Sequence, residues 1–311
     1  MRSASARPPV LRGDRVGGVM TAVPADLPVL PARRHDASKH DHGRVVVVGG
    51  APGMAGAPAL TAMAALRSGA GLVELLVPAS VASIAASFDP CVMTAGLPTH
   101  ADGGFSAGAG ASIAARVQRA AVVAIGPGIG RSPDVVGIVE AVWRDAVCPV
   151  VVDADALWAL ARLPRTAWPL HAGPRIVTPH AGEMARLAEY EGDQRAERDW
   201  LERAARHLAH DAAVVVVLKG AGSLVVDGSG EARNETGNPG LATAGTGDVL
   251  TGVVAALAAQ GLAPFAAARL GAWLHGRAGD VATETFGEWS LTARDVIDHL
   301  HVAIREAARA R

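Results

Sequence analysis

The sequence has few aromatic residues, few cysteines and almost no net charge, and each scarcity excludes a class of protein. Aromatic residues make up 4% of the 311 residues, although half of all residues are hydrophobic. Small and branched aliphatic residues therefore supply the apolar volume, as is typical of helices packed closely on sheets. The formal net charge of −1 at pH 7 provides no general attraction for nucleic acid or for an anionic membrane.

The cysteines and the long uncharged runs bear on the compartment. Cys91 and Cys148 lie far apart in the sequence, and pairing between them stays open. They are too few for a disulfide framework or a cysteine metal site, so we expect a reducing, cytoplasmic environment.

Residues 45–66 and 249–268 carry no charge and are long enough to span a bilayer. Glycine and proline interrupt both runs, so we interpret them as buried strand, loop and helix units and expect no membrane segment.

Beyond Asp36, short β-branched runs alternate with segments of helical period. The near-continuous valine runs indicate strands covered on both faces, and the alternation predicts an α/β fold with a mostly parallel sheet. We predict a single domain over residues 36–311 and a flexible, solvated extension over the Arg- and Pro-rich residues 1–35. The predicted strands are 45–48, 72–77, 121–125, 149–152, 175–177, 214–218 and 224–226, and the predicted helices are 58–69, 134–145, 182–189, 196–210, 248–259, 264–283 and 293–308.

The segment Ala244-Gly245-Thr246-Gly247-Asp248 gives the strongest indication of chemistry. Gly245 and Gly247 flank the start of an apolar helix, where backbone N–H groups and the helix dipole favour an anion. Asp248 falls in the first helical turn. There a carboxylate either stabilises the helix or accepts a hydroxyl proton during phosphoryl transfer. The segment alone leaves both roles equally open.

A second glycine-rich turn, Lys219-Gly220-Ala221-Gly222-Ser223, follows the valine strand at 214–218. A lysine and glycines at a strand end are typical of a phosphate-binding edge. The spacing of a P-loop is absent, and a plain hairpin turn is the simpler interpretation of this segment taken alone.

Polar residues also follow two other predicted strands. Near Thr178-Pro179-His180 we expect a substrate hydrogen bond from His180 and either helix capping or a water-mediated cation contact from Glu183. Two such residues without a third ligand are weak evidence for a metal site. Asp153 and Asp155 follow the strand at 149–152, where carboxylates often face a ligand crevice, although capping of the next helix is equally open for Asp155.

Glycine-rich turns at residues 49–57 and 125–130 complete the set. The first lacks the Gly-x-Gly-x-x-Gly spacing, and the next strand ends in Val77-Pro78 rather than in an acid that would bind a ribose. Dinucleotide redox chemistry is therefore disfavoured. We interpret the glycines of these turns as positions that let a large ligand approach the backbone.

Taken in order, these motifs resemble the ADP/ATP-dependent (S)-NAD(P)H-hydrate dehydratases of the ribokinase-like superfamily. The resemblance covers residues 36–300, and the ordered set is more specific than any single motif. It rests on residues 39–43 with 45–50, Gly53-Met54-Ala55-Gly56-Ala57, Ala65-Leu66-Arg67-Ser68-Gly69-Ala70-Gly71, Gly126-Pro127-Gly128, Asp153-Ala154-Asp155-Ala156-Leu157, Thr178-Pro179-His180, Leu218-Lys219-Gly220 and Gly245-Thr246-Gly247-Asp248.

The resemblance implies a ribokinase-like α/β/α fold and a metabolite-repair lyase that restores NADH or NADPH from its hydrate. ADP, or ATP, would phosphorylate the ring hydroxyl of the hydrate, and phosphate would then leave. Mg2+ would bind through phosphates and water, with Glu183 as the one protein group considered. The implied roles are Asp248 as base; Gly245, Thr246 and Gly247 as anion hole; Lys219, Gly220, Ala221, Gly222, Ser223 and Gly247 for the nucleotide; and Ala57, Gly128, His180 and Asp248 for the hydrate.

Two departures from the family pattern and two alternatives accompany this resemblance. Lys39 is followed by His40 where many relatives have glycine, which leaves its role open. Residues 1–35 are too few for the epimerase domain that some relatives carry, so we expect a separate epimerase and a homo-oligomer, a tetramer. The alternatives are a ribokinase-like kinase of a thiazole or pyrimidine alcohol and a non-catalytic adenine-nucleotide sensor.

Overall fold

The computed structural model describes residues 23–192 and 196–309, and a sheet of nine strands runs through this part of the chain. The strand order is β3-β2-β1-β4-β5-β6-β7-β8-β9. All pairs from β3 to β7 are parallel, and the last two pairs, β7 with β8 and β8 with β9, are antiparallel. The strands are β1 Arg44–Val48, β2 Leu72–Pro78, β3 Met93–Leu97, β4 Val122–Ile125, β5 Val150–Val152, β6 Arg175–Val177, β7 Val215–Leu218, β8 Leu224–Val226 and β9 Glu231–Arg233.

Helices cover both faces of the sheet, and each face has its own apolar cluster. One face packs against α1, α8, α9 and α10, and the other packs against α3 to α7. Along β1 the valine side chains alternate between the two clusters, with Val45 and Val47 on one face and Val46 and Val48 on the other, so this strand is buried on both faces. The helices are α1 Gly56–Arg67, α2 Ala82–Ala86, α3 Ala109–Val117, α4 Pro133–Asp145, α5 Asp155–Leu160, α6 Ala181–Leu187, α7 Arg198–Asp211, α8 Thr246–Ala259, α9 Pro264–Ser290 and α10 Ala293–Arg309.

The predicted strands and the seven predicted helices are all present, with ends shifted by a few residues. The sequence patterns missed the two edge strands, β3 and β9. Neither contains a β-branched apolar run, because an edge strand pairs on one side only and need not be buried on both faces. Helix α9 runs beyond the predicted end at residue 283, and non-helical Gly287 interrupts it near its carboxyl end.

The neighbouring strands β1 and β4 form the topological switch point of the sheet. From β1 the chain proceeds outward through β2 to β3, and it then returns to β4 on the other side of β1. The loops that follow β1 and β4 therefore diverge at one edge and leave a crevice, where ligands bind in open α/β sheets. These loops contain the two glycine-rich turns at residues 49–57 and 125–130. They touch closely, since Gly50 N–H donates to the Pro127 carbonyl at 3.1 Å.

Of the predicted extension, residues 1–22 lie outside the described residues. Residues that follow contact the domain: Val23, Leu27 and Leu30 pack against the apolar cluster, and Asp26 pairs with Arg269 of α9 at 2.6 Å. In the described part of the chain, no helix is both long and apolar enough to cross a bilayer. Both cysteines are free thiols.

Helices α1 and α8 pack backbone to backbone, and Gly252 makes this approach possible. A Cβ built on Gly252 would overlap the carbonyl oxygen of Thr61 and stand 2.9 Å from Cβ of Ala64. Both of these neighbours are fully buried, so neither has room to move. The position of α8 relative to the sheet therefore depends on a residue without a side chain.

Gly252→Ala is expected to lower the free energy of unfolding by about 1–3 kcal/mol, because the added methyl group overpacks the helix interface. The matched control is Gly137→Ala in the middle of α4, where an added Cβ meets no atom within 4 Å. That change should raise the free energy of unfolding by about 0.5–1 kcal/mol through backbone entropy. Urea denaturation measures both, and a Gly252→Ala protein as stable as the control would refute the packing argument.

Candidate active site

Four consecutive segments bring charged side chains to one edge of the sheet. Asp153 follows β5, Glu183 lies in α6 after β6, Lys219 follows β7, and Asp248 lies in the first turn of α8. Strands β5, β6 and β7 are parallel neighbours, so their carboxyl ends meet at the same edge. Lys219 and Asp248, two of the predicted site residues, therefore lie close to Asp153 and Glu183.

The ammonium group of Lys219 lies among the carboxylates. Its Nζ is 2.7 Å from Oδ1 of Asp153 and 3.7 Å from Oε2 of Glu183. Asp153 has a side chain only 2% exposed, and its other oxygen, Oδ2, accepts a hydrogen bond from the hydroxyl of Thr251 at 2.8 Å. Burial disfavours the charged ammonium, yet the charges of Asp153 and Glu183 outweigh it and raise the pKa of Lys219. Lys219 is therefore expected to carry its positive charge at neutral pH.

The carboxyl group of Asp248 is held in an environment that favours its protonated form. Burial raises its pKa from the ordinary 3.8 to about 7, and the negative charge of Asp153 adds to the increase. The charge of Lys219 opposes these effects. Burial likewise raises the pKa of Glu183 against the charge of Lys219. A carboxyl group with a pKa near neutrality is suited to accept a proton at physiological pH.

The start of α8 has the backbone form of an anion site. Gly245 adopts the left-handed conformation with φ of 90°, a conformation that favours glycine, and residues 246–248 then begin the helix. The hydroxyl of Thr246 donates to the carbonyl oxygens of Leu241 at 2.8 Å and Thr243 at 3.0 Å, which fixes the loop that enters the helix. A Cβ built on Gly247 would stand 3.3 Å from Nζ of Lys219. The backbone of Gly247 therefore lies next to the ammonium group of Lys219.

The predicted hydrate residues Ala57 and Gly128 lie side by side across the switch-point crevice. Gly128 has φ of 57°, and a Cβ built on it would stand 3.3 Å from Cβ of Ala57 and 2.8 Å from the Met54 carbonyl oxygen. Thr61 connects this side of the crevice to α8. Its hydroxyl contacts the carbonyl oxygens of Ala57 at 3.3 Å and Asp248 at 2.9 Å.

The predicted residue His180 caps helix α6 and shares this role with Glu183. Nδ1 of His180 accepts hydrogen bonds from the N–H groups of Gly182 and Glu183, and Oε2 of Glu183 accepts from the His180 N–H at 2.8 Å. This reciprocal arrangement is a capping box, so Glu183 performs the predicted capping. The side chain of His180 remains 59% exposed and is therefore accessible to a substrate.

The turn of residues 219–223 connects the antiparallel strands β7 and β8, so the hairpin interpretation of this segment is confirmed. A hairpin turn does not conflict with nucleotide binding, since Lys219 at its start extends into the carboxylate cluster. Asp155 caps no helix through its own side chain. It accepts instead from the Gly130 N–H at 3.2 Å and from Arg131 at 2.8 Å, and thereby fastens the turn after β4.

Two threonines that connect the site were not identified from sequence. Thr61 and Thr251 are completely buried within apolar helices, and each donates its hydroxyl to a group of the site. A hydroxyl in an otherwise apolar helical run was the available signal, because a buried polar group requires a partner. Among residues 23–192 and 196–309, no group of three or more histidine, cysteine or acidic side chains is arranged to hold a metal ion.

Comparison with known proteins matches these features to one family. The family model of NAD(P)H-hydrate dehydratase matches residues 45–301. An ADP-dependent (S)-NAD(P)H-hydrate dehydratase from Xanthomonas campestris is 37% identical over 283 residues, which cover 89% of this chain and 93% of that protein. A structure of the ADP/ATP-dependent NAD(P)H-hydrate dehydratase from Bacillus subtilis, co-crystallised with ATP and Mg2+, superposes with a TM-score of 0.74 and 26% identity, covering 91% of this chain and all of that one.

A longer relative gives the highest identity among these. The bifunctional NAD(P)H-hydrate repair enzyme of Moorella thermoacetica is 45% identical over 277 residues, covering 89% of this chain. This chain spans only 52% of that relative's length. The structural similarity and the sheet topology confirm the predicted ribokinase-like α/β/α fold. On the extent of the family match and these identities, the chain belongs to the NAD(P)H-hydrate dehydratase family.

Proposed function

We propose that this protein uses ADP, or ATP, to dehydrate the S epimer of NAD(P)H hydrate back to NADH or NADPH. The observation that carries the proposal is the position of Asp248, with a pKa near 7, beside Lys219 and the open helix start at residues 245–247. A base, a cation and anion-binding N–H groups are the parts that phosphoryl transfer to a hydroxyl requires. Family membership supplies the substrate class.

The proposed reaction has two steps. The carboxylate of Asp248 accepts the proton of the hydrate's ring hydroxyl while the hydroxyl oxygen attacks the terminal phosphorus of the nucleotide, and the shortened nucleotide leaves. The N–H groups of residues 245–247 and the ammonium of Lys219 stabilise the charge on the transferring group. The new phosphate ester then loses phosphate from one ring carbon and a proton from the next, which restores the ring double bond. Phosphorylation is needed because hydroxide is a poor leaving group, and the overall reaction is that of a lyase.

The residues around the site suggest how the substrates divide the space. We assign the nucleotide to residues 219–223 and Gly247, and the hydrate to the side formed by Ala57, Gly128 and His180, with Asp248 between them. Mg2+ would enter with the nucleotide, held by phosphate oxygens and water, and would neutralise phosphate charge. Glu183, whose carboxylate lies 3.7 Å from Lys219, is the protein group that we assign to its water shell.

The wider setting is also part of the proposal. Relatives described as bifunctional repair enzymes are about twice as long as the matched region, which supports a second activity outside this domain. We therefore propose a separate epimerase in the same repair process. The family resemblance supports a homotetramer that works in the cytoplasm.

The activity is tested by mixing the protein with prepared NADH hydrate or NADPH hydrate, Mg2+ and either ADP or ATP. Absorbance at the reduced nicotinamide band should rise with at least one nucleotide, because dehydration restores the reduced ring. Omission of the nucleotide or of Mg2+ is the control. Absence of a signal with both nucleotides and both hydrates would refute the proposed function.

Asp248→Asn should lower the rate by roughly two to four orders of magnitude, the usual contribution of a general base. In the wild type, kcat/KM should rise with pH and level off above about 7, because the base acts only after it loses its proton. Asp145→Asn, at an exposed carboxylate that pairs with Arg144 and is not among the groups that shift the pKa of Asp248, is the matched control and should retain the same pH profile. A wild-type pH profile without a transition near 7, or an Asp248→Asn protein with a near wild-type rate, would contradict the assignment of Asp248.

The same variant should be more stable than the wild type at pH 8. The folded-state pKa of Asp248 is raised to about 7 from 3.8, so the folded protein retains a proton that the unfolded chain has lost. Stability is therefore lost as the pH rises through this interval, and asparagine removes the loss. Thermal melting should show a higher Tm for Asp248→Asn at pH 8 and a gap that closes toward pH 4. An equal difference in Tm between the two proteins at both pH values would show that ionisation of Asp248 does not destabilise the folded protein.

A further inference from the structure

Arg198, the first residue of α7, contacts the predicted nucleotide turn from behind. Its Nη1 donates to the carbonyl oxygen of Lys219 at 3.2 Å, and its Nη2 donates to the carbonyl oxygen of Gly222 at 3.1 Å. Its Nε donates to Oε1 of Glu202, one helical turn along α7, at 3.0 Å. One planar guanidinium group therefore contacts the turn at two carbonyl oxygens and also contacts its own helix. A lysine carries all its N–H donors on one nitrogen and does not present such a fork.

The contacts determine which way the peptide groups of the turn face. In a planar trans peptide the C=O and the following N–H point in opposite directions. When Arg198 holds the carbonyl oxygens of Lys219 and Gly222 toward α7, the N–H groups of Gly220 and Ser223 are turned away from α7. The hydroxyl of Ser223 also donates to the Gly220 carbonyl oxygen at 2.9 Å. Three carbonyl oxygens, which would repel phosphate, thus have donors within the protein.

The anchor of Arg198 is itself held firmly. Glu202 is 5% exposed and receives two hydrogen bonds from Arg233 of β9, at 2.8 and 2.5 Å. The hydrogen bonds from Arg233 and Arg198 outweigh burial and lower the pKa of Glu202 to about 2. Arg206 lies beside it, 3.6 Å from Glu202, but its hydrogen bonds go to Glu231 of β9 and not to the turn. The described contacts of Arg206 therefore reach the same anchor without reaching the turn.

We propose that Arg198 is a positioning residue for the adenine nucleotide, which acts by orienting the peptide groups of residues 219–223 toward the phosphates. This inference rests on the proposed function only in assigning the nucleotide to that turn. The side chain of Arg198 holds the turn through its carbonyl oxygens and does not take part in proton or phosphoryl transfer. Nucleotide affinity depends on it, whereas the chemical step and the affinity for the hydrate do not.

The test compares Arg198→Ala and Arg198→Lys with the matched control Arg206→Ala. Titration calorimetry measures the Kd of ADP and of ATP with Mg2+, and dehydration assays separate the KM of the nucleotide from kcat and from the KM of the hydrate. Both Arg198 variants should weaken nucleotide binding by roughly tenfold or more, the scale of one hydrogen bond to a charged group. Their kcat and hydrate KM should stay within about twofold of the wild type, and Arg206→Ala should bind nucleotide like the wild type.

Several results would overturn the inference. Arg198→Lys is the milder variant, and thermal melting shows which variants are folded. Folded Arg198 variants with wild-type nucleotide affinity, or an equal loss in Arg206→Ala, would remove the specific role of Arg198. A wild-type protein that binds neither ADP nor ATP would also overturn it. If the wild type binds nucleotide but dehydrates no hydrate, the proposed function fails while the calorimetric test of Arg198 still stands.

Discussion

The site depends on one ammonium group, whose positive charge stabilises several carboxylates. Lys219 pairs directly with Asp153, lies near Glu183, and acts on Asp248 through its charge. A single positive charge cannot fully compensate three acids removed from water, so part of the negative charge is suppressed by proton binding. The pKa values of Asp248 and Glu183 are both raised, mainly by burial. Both carboxyl groups are therefore suited to exchange a proton near neutral pH.

The parallel sheet makes this arrangement available. Strands β5, β6 and β7 end at one edge, and α8 begins above them with its amino end at the same place. The close approach of α8 depends on Gly252, and the threonine hydroxyls at positions 61 and 251 connect the helix to the site. The fold thus holds the carboxyl group of Asp248, the ammonium group of Lys219 and the amino end of α8 close together. The same parts suit a kinase, and under the proposed function the phosphate ester is an intermediate that goes on to lose phosphate.

Sequence reasoning identified the local features well and the connections between them poorly. Asp248 and its glycines were found because a helix start, an acid and an apolar run are adjacent in the chain. The edge strands β3 and β9 were missed because their stability comes from pairing with a neighbour distant in sequence. Arg198 was not identified for a similar reason. It opens a charged, amphipathic helix, and only the fold shows that its guanidinium reaches a turn 21 residues along the chain.

A direct titration of the Asp248 carboxyl group tests the account most simply. The carboxyl-carbon NMR signal that disappears in Asp248→Asn identifies the residue, and its chemical shift can be followed with pH in the resting protein. The account predicts a midpoint near 7, and a lower midpoint in Asp153→Asn, where the charge that helps to raise the pKa is removed. A midpoint near the ordinary 3.8 in the wild type would show that the carboxylate is solvated and unpaired with the cluster, and it would contradict the account.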